Sequence, residues 1–220
     1  MKTIAIIPAR GGSKRLPGKN TKLLGEIPLL AHSILYAKQH NFIDAVYVST
    51  DDVVIKEIAL QYGAIVIDRP QALSGDLEPT VSALKHVLES IDEIIENVIL
   101  LQATNPLRSQ NLLQNAFAIF QEQQTNSLFT VSRSHHKLGK ITNHKFIPYN
   151  YEVGQRSQDL EPLYYENGLL YITKAPVILN NEIITKDAFP LEVNHPFANV
   201  DIDTQEDFDY AEYLLNKKNF

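Results

Sequence analysis

Residues 3–20 read TIAIIPARGGSKRLPGKN, and the fold turns on how this stretch is read. Residues 3–9 are a short, isoleucine-rich apolar run. A run without polar alternation reads as a strand buried on both faces, as in parallel sheets covered by helices. Directly behind it, ARGGSKRLPGKN (residues 9–20) turns to glycine and positive charge. Gly11 and Gly12 allow a sharp turn and let the backbone approach a ligand closely. Successive N–H groups in such a loop make an anion-binding concavity. Arg10, Lys14, Arg15 and Lys19 add positive charge, and no acid interrupts residues 10–22. Backbone donors together with several cations suit a triphosphate. The spacing is not that of a P-loop: Ser13 stands where that motif needs its first glycine, and Asn20 replaces the Ser or Thr. The plain alternative is a solvated basic loop.

Outward from this stretch, strand and helix patterns alternate. Residues 28–40 read as a helix with Leu30, Ile34, Leu35 and Ala37 on one face. Strands are expected at 45–50, 64–67, 98–102 and 127–132, and helices at 52–62, 79–91 and 109–124, the last with Ser109 as N-cap. This alternation defines an open α/β sheet, in which ligands bind outside the carboxyl ends of the strands. The loops to inspect are therefore 10–27, 49–52, 68–79 and 102–108. The pattern weakens at residues 133–166, where His135, His136 and tyrosines 149, 151 and 164 mix with turn formers; a hairpin excursion is expected there. Strands are expected again at 168–173 and 199–203. A closing helix should follow at 204–216, with Thr204 as N-cap and Asp207 in a near capping box. The 220 residues read as one domain, 1–220.

Composition narrows the function classes. There is no cysteine, which excludes disulfides, thiol nucleophiles and cysteine-based metal sites. A net charge of −6 argues against a nucleic-acid binder, and the local basic segment points to a small anionic ligand instead. The opening MKTIAIIPARGG is apolar only briefly, unlike a signal peptide, and no run reaches membrane-spanning length; a cytoplasmic protein is expected.

Three further stretches carry chemistry. Asp201-Ile202-Asp203 is expected at a strand end, where side chains two apart share a face. Two carboxylates facing one way repel unless a cation lies between them, and a hard cation such as Mg2+ takes such ligands while keeping phosphate oxygens and waters. A strand end feeding a capped helix is the alternative. LLQATNPLR (residues 100–108) offers Gln102, Thr104 and Asn105 as polar groups and Arg108 as a bidentate cation. Tyr165-Glu166-Asn167-Gly168 precedes another strand, His135-His136 lacks zinc spacing, and Asp51 and Asp52 suit helix capping as well as function.

Taken in order, IIPARGGSKRLPGKN, VSTDD, DRPQALSGDLEPT, LLQATNPLR, YENGLLYI and DIDT, from residue 6 to residue 204, resemble the N-acylneuraminate cytidylyltransferases, or CMP-sialic acid synthetases. The resemblance implies a Rossmann-like three-layer nucleotidyltransferase fold with a predominantly parallel sheet. It implies transfer of CMP from CTP to the anomeric hydroxyl of a nine-carbon 2-keto acid sugar, releasing pyrophosphate for surface-glycan biosynthesis. It also implies a homodimer, with residues 133–166 reaching the partner. By position, Arg10, Gly11, Gly12, Ser13, Lys14, Lys19, Asn20, Arg69 and Thr80 would serve the nucleotide. Gln102, Thr104, Arg108, Lys140, Tyr165 and Asn167 would serve the sugar, with Lys137 competing with Lys140 for one role. Asp201 and Asp203 would hold Mg2+ and, with Arg10 and Lys19, form the catalytic group. A 3-deoxy-manno-octulosonate cytidylyltransferase is the nearest rival, sharing the Arg-Leu-Pro-Gly-Lys stretch; Gly11 to Lys14, LLQATNPLR and DIDT favour the nine-carbon reading. A catalytically silent nucleotide-binding module is the rival of another class.

Overall fold

The computed structural model describes residues 2–217. The isoleucine run forms β1 (Lys2–Pro8), whose middle residues are wholly buried. The chain then passes through the basic loop and a small ribbon, β2 (Leu23–Leu24) with β3 (Ile27–Pro28). Next come α1 (Leu29–Lys38), β4 (Ala45–Thr50), α2 (Val53–Gln61), β5 (Ile65–Asp68), α3 (Thr80–Glu89), β6 (Ile95–Leu100), α4 (Leu112–Glu122) and β7 (Ser127–Ser134). A hairpin of β8 (Gly139–Thr142) and β9 (Lys145–Pro148) precedes the long β10 (Leu163–Lys174). The chain finishes with α5 (Ala175–Leu179), β11 (Phe189–Glu192) and α6 (Gln205–Asn216).

Seven strands make the central sheet in the order β11-β7-β10-β6-β1-β4-β5. All its pairings are parallel except those of β10, which runs antiparallel to both β6 and β7. The alternation of β1 shows why the sheet is covered twice. Ala5 and Ile7 join a cluster with Leu30, Ile34, Leu113 and Phe117, while Ile4 and Ile6 join one with Leu84, Val87 and Ile178. A third cluster, with Leu24, Leu29, Ile202, Phe208 and Leu214, seats α6 beside the basic loop. The expected three-layer α/β architecture is therefore the one observed.

Four local expectations need correction. Helix α4 starts at Leu112, and Ser109 is not its cap: the Ser109 carbonyl accepts the Tyr36 hydroxyl at 3.1 Å and the Leu112 N–H at 3.1 Å. The chain cannot turn helical sooner because Arg108 is buried and bonded into the core. Residues 199–203 are not a sheet strand. Pro196–Asn199 is a 3-10 turn, and the next residues run extended with one ladder-like bond, Ile202 N–H to the Thr104 carbonyl at 2.8 Å. Strand β10 is longer than 168–173 and carries a register shift between Glu166 and Tyr171, where Gly168 takes φ 76°. β11 was not anticipated; it is an edge strand, a position that tolerates its Pro190.

The excursion is a hairpin as expected. Its two-residue turn is Asn143-His144, with φ 50° and 61°, the left-handed pair that matches strand twist in tight hairpins. The closing helix has a full capping box: Thr204 Oγ1 accepts the Asp207 N–H, and Asp207 Oδ2 accepts the Thr204 N–H at 2.8 Å. Among the described residues no helix is long and apolar enough to cross a membrane.

Candidate active site

A cavity of about 580 Å3 opens where the carboxyl ends of β1 and β6 meet the N-terminus of α3. Its walls bring together Arg10, Ser13, Lys14, Lys19, Asn20, Arg69, Thr80, Gln102, Thr104 and Asp203, all picked out from sequence. Arg15, Asp76 and Glu78 join them, so five cations face three acids. The first turn of α3 also borders the cavity, and a helix N-terminus favours anions.

The basic loop is fixed from within. Leu16 is buried in the same cluster as Ile202 and Phe208. Gly18, at φ 65°, allows the turn Lys19–Thr21. Asn20 Nδ2 donates to the Arg10 carbonyl at 3.0 Å. Lys19 is only 8% exposed, and its Nζ donates to the Ile202 carbonyl at 2.8 Å and to Asp203 Oδ1 at 2.9 Å. Arg15 Nη2 meets the other oxygen of Asp203 at 2.6 Å. On the opposite wall, Arg10 Nη1 lies 2.9 Å from Asp76 Oδ1, and Lys14 pairs with the same carboxylate. The hydrogen bond from Lys14, with the charge of Arg10 behind it, holds the Asp76 carboxyl below its usual range. These acids hold the loop's cations where an anionic ligand would meet them. Arg69 is buried behind, with Nε on Ser49 Oγ at 3.0 Å and Nη2 on the Ser49 carbonyl at 2.6 Å.

Other sequence candidates lie elsewhere. Gly11 and Gly12 do not line the cavity; the Gly11 N–H is taken by Asp51 Oδ1 at 3.0 Å. Glycine is needed there because a Cβ would sit 2.6 Å from Asp52 Oδ2. Asp52 caps α2 through the Ile55 N–H, so both aspartates are structural. Arg108 is a buried strut, not a ligand contact: it donates to the carbonyls of Leu169 at 2.7 Å and Gln102 at 3.0 Å and to Ser33 Oγ at 3.0 Å. Burial pushes its pKa down to about 10. Asn167 is buried too, bonded to Thr130 Oγ1 at 2.6 Å and Ser132 Oγ at 2.9 Å. The Tyr165 hydroxyl donates to Asn199 Oδ1 at 2.9 Å, and Lys140 lies on the exposed hairpin. Neither borders the cavity.

Asn105 fixes the acidic segment, donating to the Val200 carbonyl at 2.7 Å and the Asn167 carbonyl at 3.2 Å. Ile202 is wholly buried, while Asp201 and Asp203 on either side of it keep solvent access. Burial raises the pKa of Asp201 despite a hydrogen bond from Thr104, and the Asp203 charge raises it further. Among the described residues there is no cluster of three or more His, Cys, Asp or Glu that could hold a metal. Asp203 on the wall of this cation-lined cavity, with Asp201 two residues away, nevertheless fits Mg2+, which binds through one or two carboxylates and fills its shell with phosphates and water. A cation there would offset the burial that disfavours the Asp201 charge, and the smaller repulsion from Asp203.

Sequence reasoning singled out neither Asp76 nor Tyr171, and it named Glu166 only as part of Tyr165-Glu166-Asn167-Gly168, without its pairing to Tyr171. Glu166 and Tyr171 are five apart, an odd separation that on a regular strand puts them on opposite faces. The irregularity at Gly168 brings them together, with the Tyr171 hydroxyl 2.5 Å from Glu166 Oε1.

A mostly parallel sheet with a cation-lined cavity of about 580 Å3 at its carboxyl edge is the arrangement of a nucleotide-binding α/β protein. The chain belongs to the cytidylyltransferase family, whose profile matches residues 4–220. It is 34% identical to the CMP-N,N'-diacetyllegionaminic acid synthase of Legionella pneumophila, over 98% of this chain and 97% of that one. It is 34% identical to the pseudaminic acid cytidylyltransferase of Campylobacter jejuni, over 97% and 96%. The N-acylneuraminate cytidylyltransferase of Streptococcus agalactiae is 32% identical over 94% of this chain, which spans 52% of that longer protein. Among solved structures, a CMP:2-keto-3-deoxy-manno-octonic acid synthetase complexed with CTP superposes with a TM-score of 0.73 at 18% identity, covering 99% of this chain and 100% of the other. At that identity the likeness is one of fold.

Proposed function

We propose that the protein transfers CMP from CTP to the anomeric hydroxyl of a nine-carbon 2-keto acid sugar, a sialic acid or related nonulosonate. The observation that carries this reading is the 580 Å3 cavity with five converging cations. The names of the relatives supply the sugar class.

In this reading Arg10, Lys14, Arg15 and Lys19 bind the triphosphate, exchanging Asp76 and Asp203 for phosphate oxygens. Ser13, Asn20, Arg69 and Thr80 complete the nucleotide side; Gln102 and Thr104 face the sugar. The anomeric oxygen attacks the α-phosphorus, an O–P bond forms, and the bond to the β-phosphate bridge breaks to release pyrophosphate. The hydroxyl proton passes to water. Fixed cations stabilise the charge that builds on the phosphate oxygens, and the cavity aligns the attacking oxygen. Asp201 and Asp203 would hold Mg2+, which supplies further charge stabilisation when bound.

The reading carries a homodimer with it. The hairpin exposes Ile141, Phe146 and Ile147, more apolar surface than a free-standing ribbon needs. A cytoplasmic setting, where nucleoside triphosphates are at hand, goes with it. Phosphorus NMR of protein, CTP, Mg2+ and N-acetylneuraminate, legionaminate or pseudaminate tests the reaction. Paired appearance of a CMP diester and pyrophosphate is expected. CTP left intact with every acid, or hydrolysed without a diester, contradicts the reading.

A further inference from the structure

A second recess of about 420 Å3 opens beside the main cavity and shares Pro79, Thr80 and Gln102 with it. Glu166 and Tyr171 line one wall of it, Thr80, Gln102 and Asn181 add further polar groups, and Ile183 and Ile184 form part of its apolar lining.

The hydrogen bonds give this wall a polarity. A phenol has one hydrogen to donate. Tyr171 gives its hydrogen to Glu166 Oε1, and the Gln102 side chain hydrogen-bonds Tyr171 from the main-cavity side. Burial, then the bond to Glu166, raises the Tyr171 pKa, so the phenol keeps its proton at physiological pH. Among the described residues nothing donates to Glu166 Oε2. An ionised carboxylate only accepts, and the one Tyr171 hydrogen is already committed. Glu166 therefore offers an acceptor, on an exposed side chain whose own position is fixed by the hydroxyl of the buried Tyr171.

We propose that Glu166, oriented by Tyr171, determines acceptor specificity by taking a hydroxyl or amide N–H of the sugar and repelling the sugar's carboxylate. This rests on the reaction proposed above. The acceptor's own acid group is then turned toward the basic loop, and the substituent that meets Glu166 must be a donor. Like charges brought together at a binding surface are a strong source of discrimination. Tyr171 acts as a positioning residue, since it reaches the sugar only through Glu166.

Steady-state kinetics of Glu166→Gln and Glu166→Ala tests this, using whichever nine-carbon acid the wild type turns over, together with its singly O- or N-methylated analogues. Glu166 is exposed, and in Glu166→Gln the amide oxygen can still accept the Tyr171 hydrogen, so that change should not disturb the fold. Hydrogen bonds to charged groups are worth about 1.5–3 kcal/mol, so an acceptor KM raised by about tenfold or more is expected, with the CTP KM within about twofold of wild type. Wild type should discriminate against one methylated analogue, and Glu166→Ala should lose that discrimination. Unchanged acceptor KM and unchanged discrimination in both variants overturn the inference alone. A CTP KM that rises as much as the acceptor KM also overturns it. Absence of any nine-carbon turnover by wild type overturns the proposed reaction, and this inference with it.

Discussion

The basic loop at residues 10–20 and the excursion at residues 133–162 are both irregular, yet they are held in opposite ways. The loop is tied to distant parts of the chain: Lys19 reaches Ile202 and Asp203, Arg10 reaches Asp76, and Gly11 is held by Asp51. The excursion bonds mainly to itself. Asn150 bridges the Leu138 N–H at 2.7 Å and the His136 carbonyl at 3.0 Å, Lys137 reaches the Gln155 carbonyl, and Arg156 pairs with Asp159. The proposed nucleotide side is thus built within one chain, whereas the hairpin presents an apolar surface that this chain does not cover. Changes in the first region should alter CTP handling. Changes in the second should alter assembly.

The largest effect is expected at the point where loop and C-terminal segment meet. Asp203→Ala removes a proposed metal ligand and unties Arg15 and Lys19 together. Loss of several kcal/mol of charge stabilisation corresponds to a fall of about 100-fold or more in Mg2+-dependent turnover. Wild-type turnover across a metal titration would dismiss the metal assignment. Lys19→Ala comes next: it deletes a buried cation with two partners, and an increase in CTP KM of about tenfold is expected with little change for the sugar. Equal increases in both constants would contradict its place on the nucleotide side.

The hairpin gives the opposite signature. Ile141 is 79% exposed and directly across from Phe146, so Ile141→Asp should cost the fold little. It should shift the protein from dimer to monomer in sedimentation while leaving the affinity for CTP within about twofold. A wild-type monomer, or a variant dimer as tight as wild type, breaks the comparison.

The smallest effect concerns Asp201. Its folded-state pKa lies above the usual carboxyl value, so the folded protein binds that proton more tightly than the unfolded chain. That contribution is complete at low pH and is lost as pH rises through the raised value. Asp201→Asn should therefore raise the neutral-pH Tm of the ligand-free protein by on the order of 1–2 °C, with the gain vanishing at acid pH. A lower Tm in the variant at neutral pH would contradict a cost, mainly of burial, for the ionised Asp201 in the folded protein.

Local pattern carried most of the sheet. The run at 3–9, the strand at 45–50 and the capped helix at 204–216 were legible because burial and capping act over a few residues. What was not legible depends on contacts between distant residues. Residues 199–203 have strand-like spacing but join no sheet, because their neighbour is the Thr104 loop and not a strand edge. Arg108 looks like an anion ligand in sequence, and only the fold places the Leu169 and Gln102 carbonyls around it. The pairing of Glu166 with Tyr171 was not legible because the shift at Gly168 breaks the period-two rule that would have separated them. The cationic loop was readable in advance; the Asp76 that pairs with it sits over sixty residues away.

Pyrophosphate release with CTP and Mg2+ across N-acetylneuraminate, legionaminate, pseudaminate and 3-deoxy-manno-octulosonate tests the central claim most directly. Turnover with at least one nine-carbon acid, and little with the eight-carbon acid, is the expected result. Turnover confined to the eight-carbon acid, or tight CTP binding with no pyrophosphate from any acceptor, would contradict it.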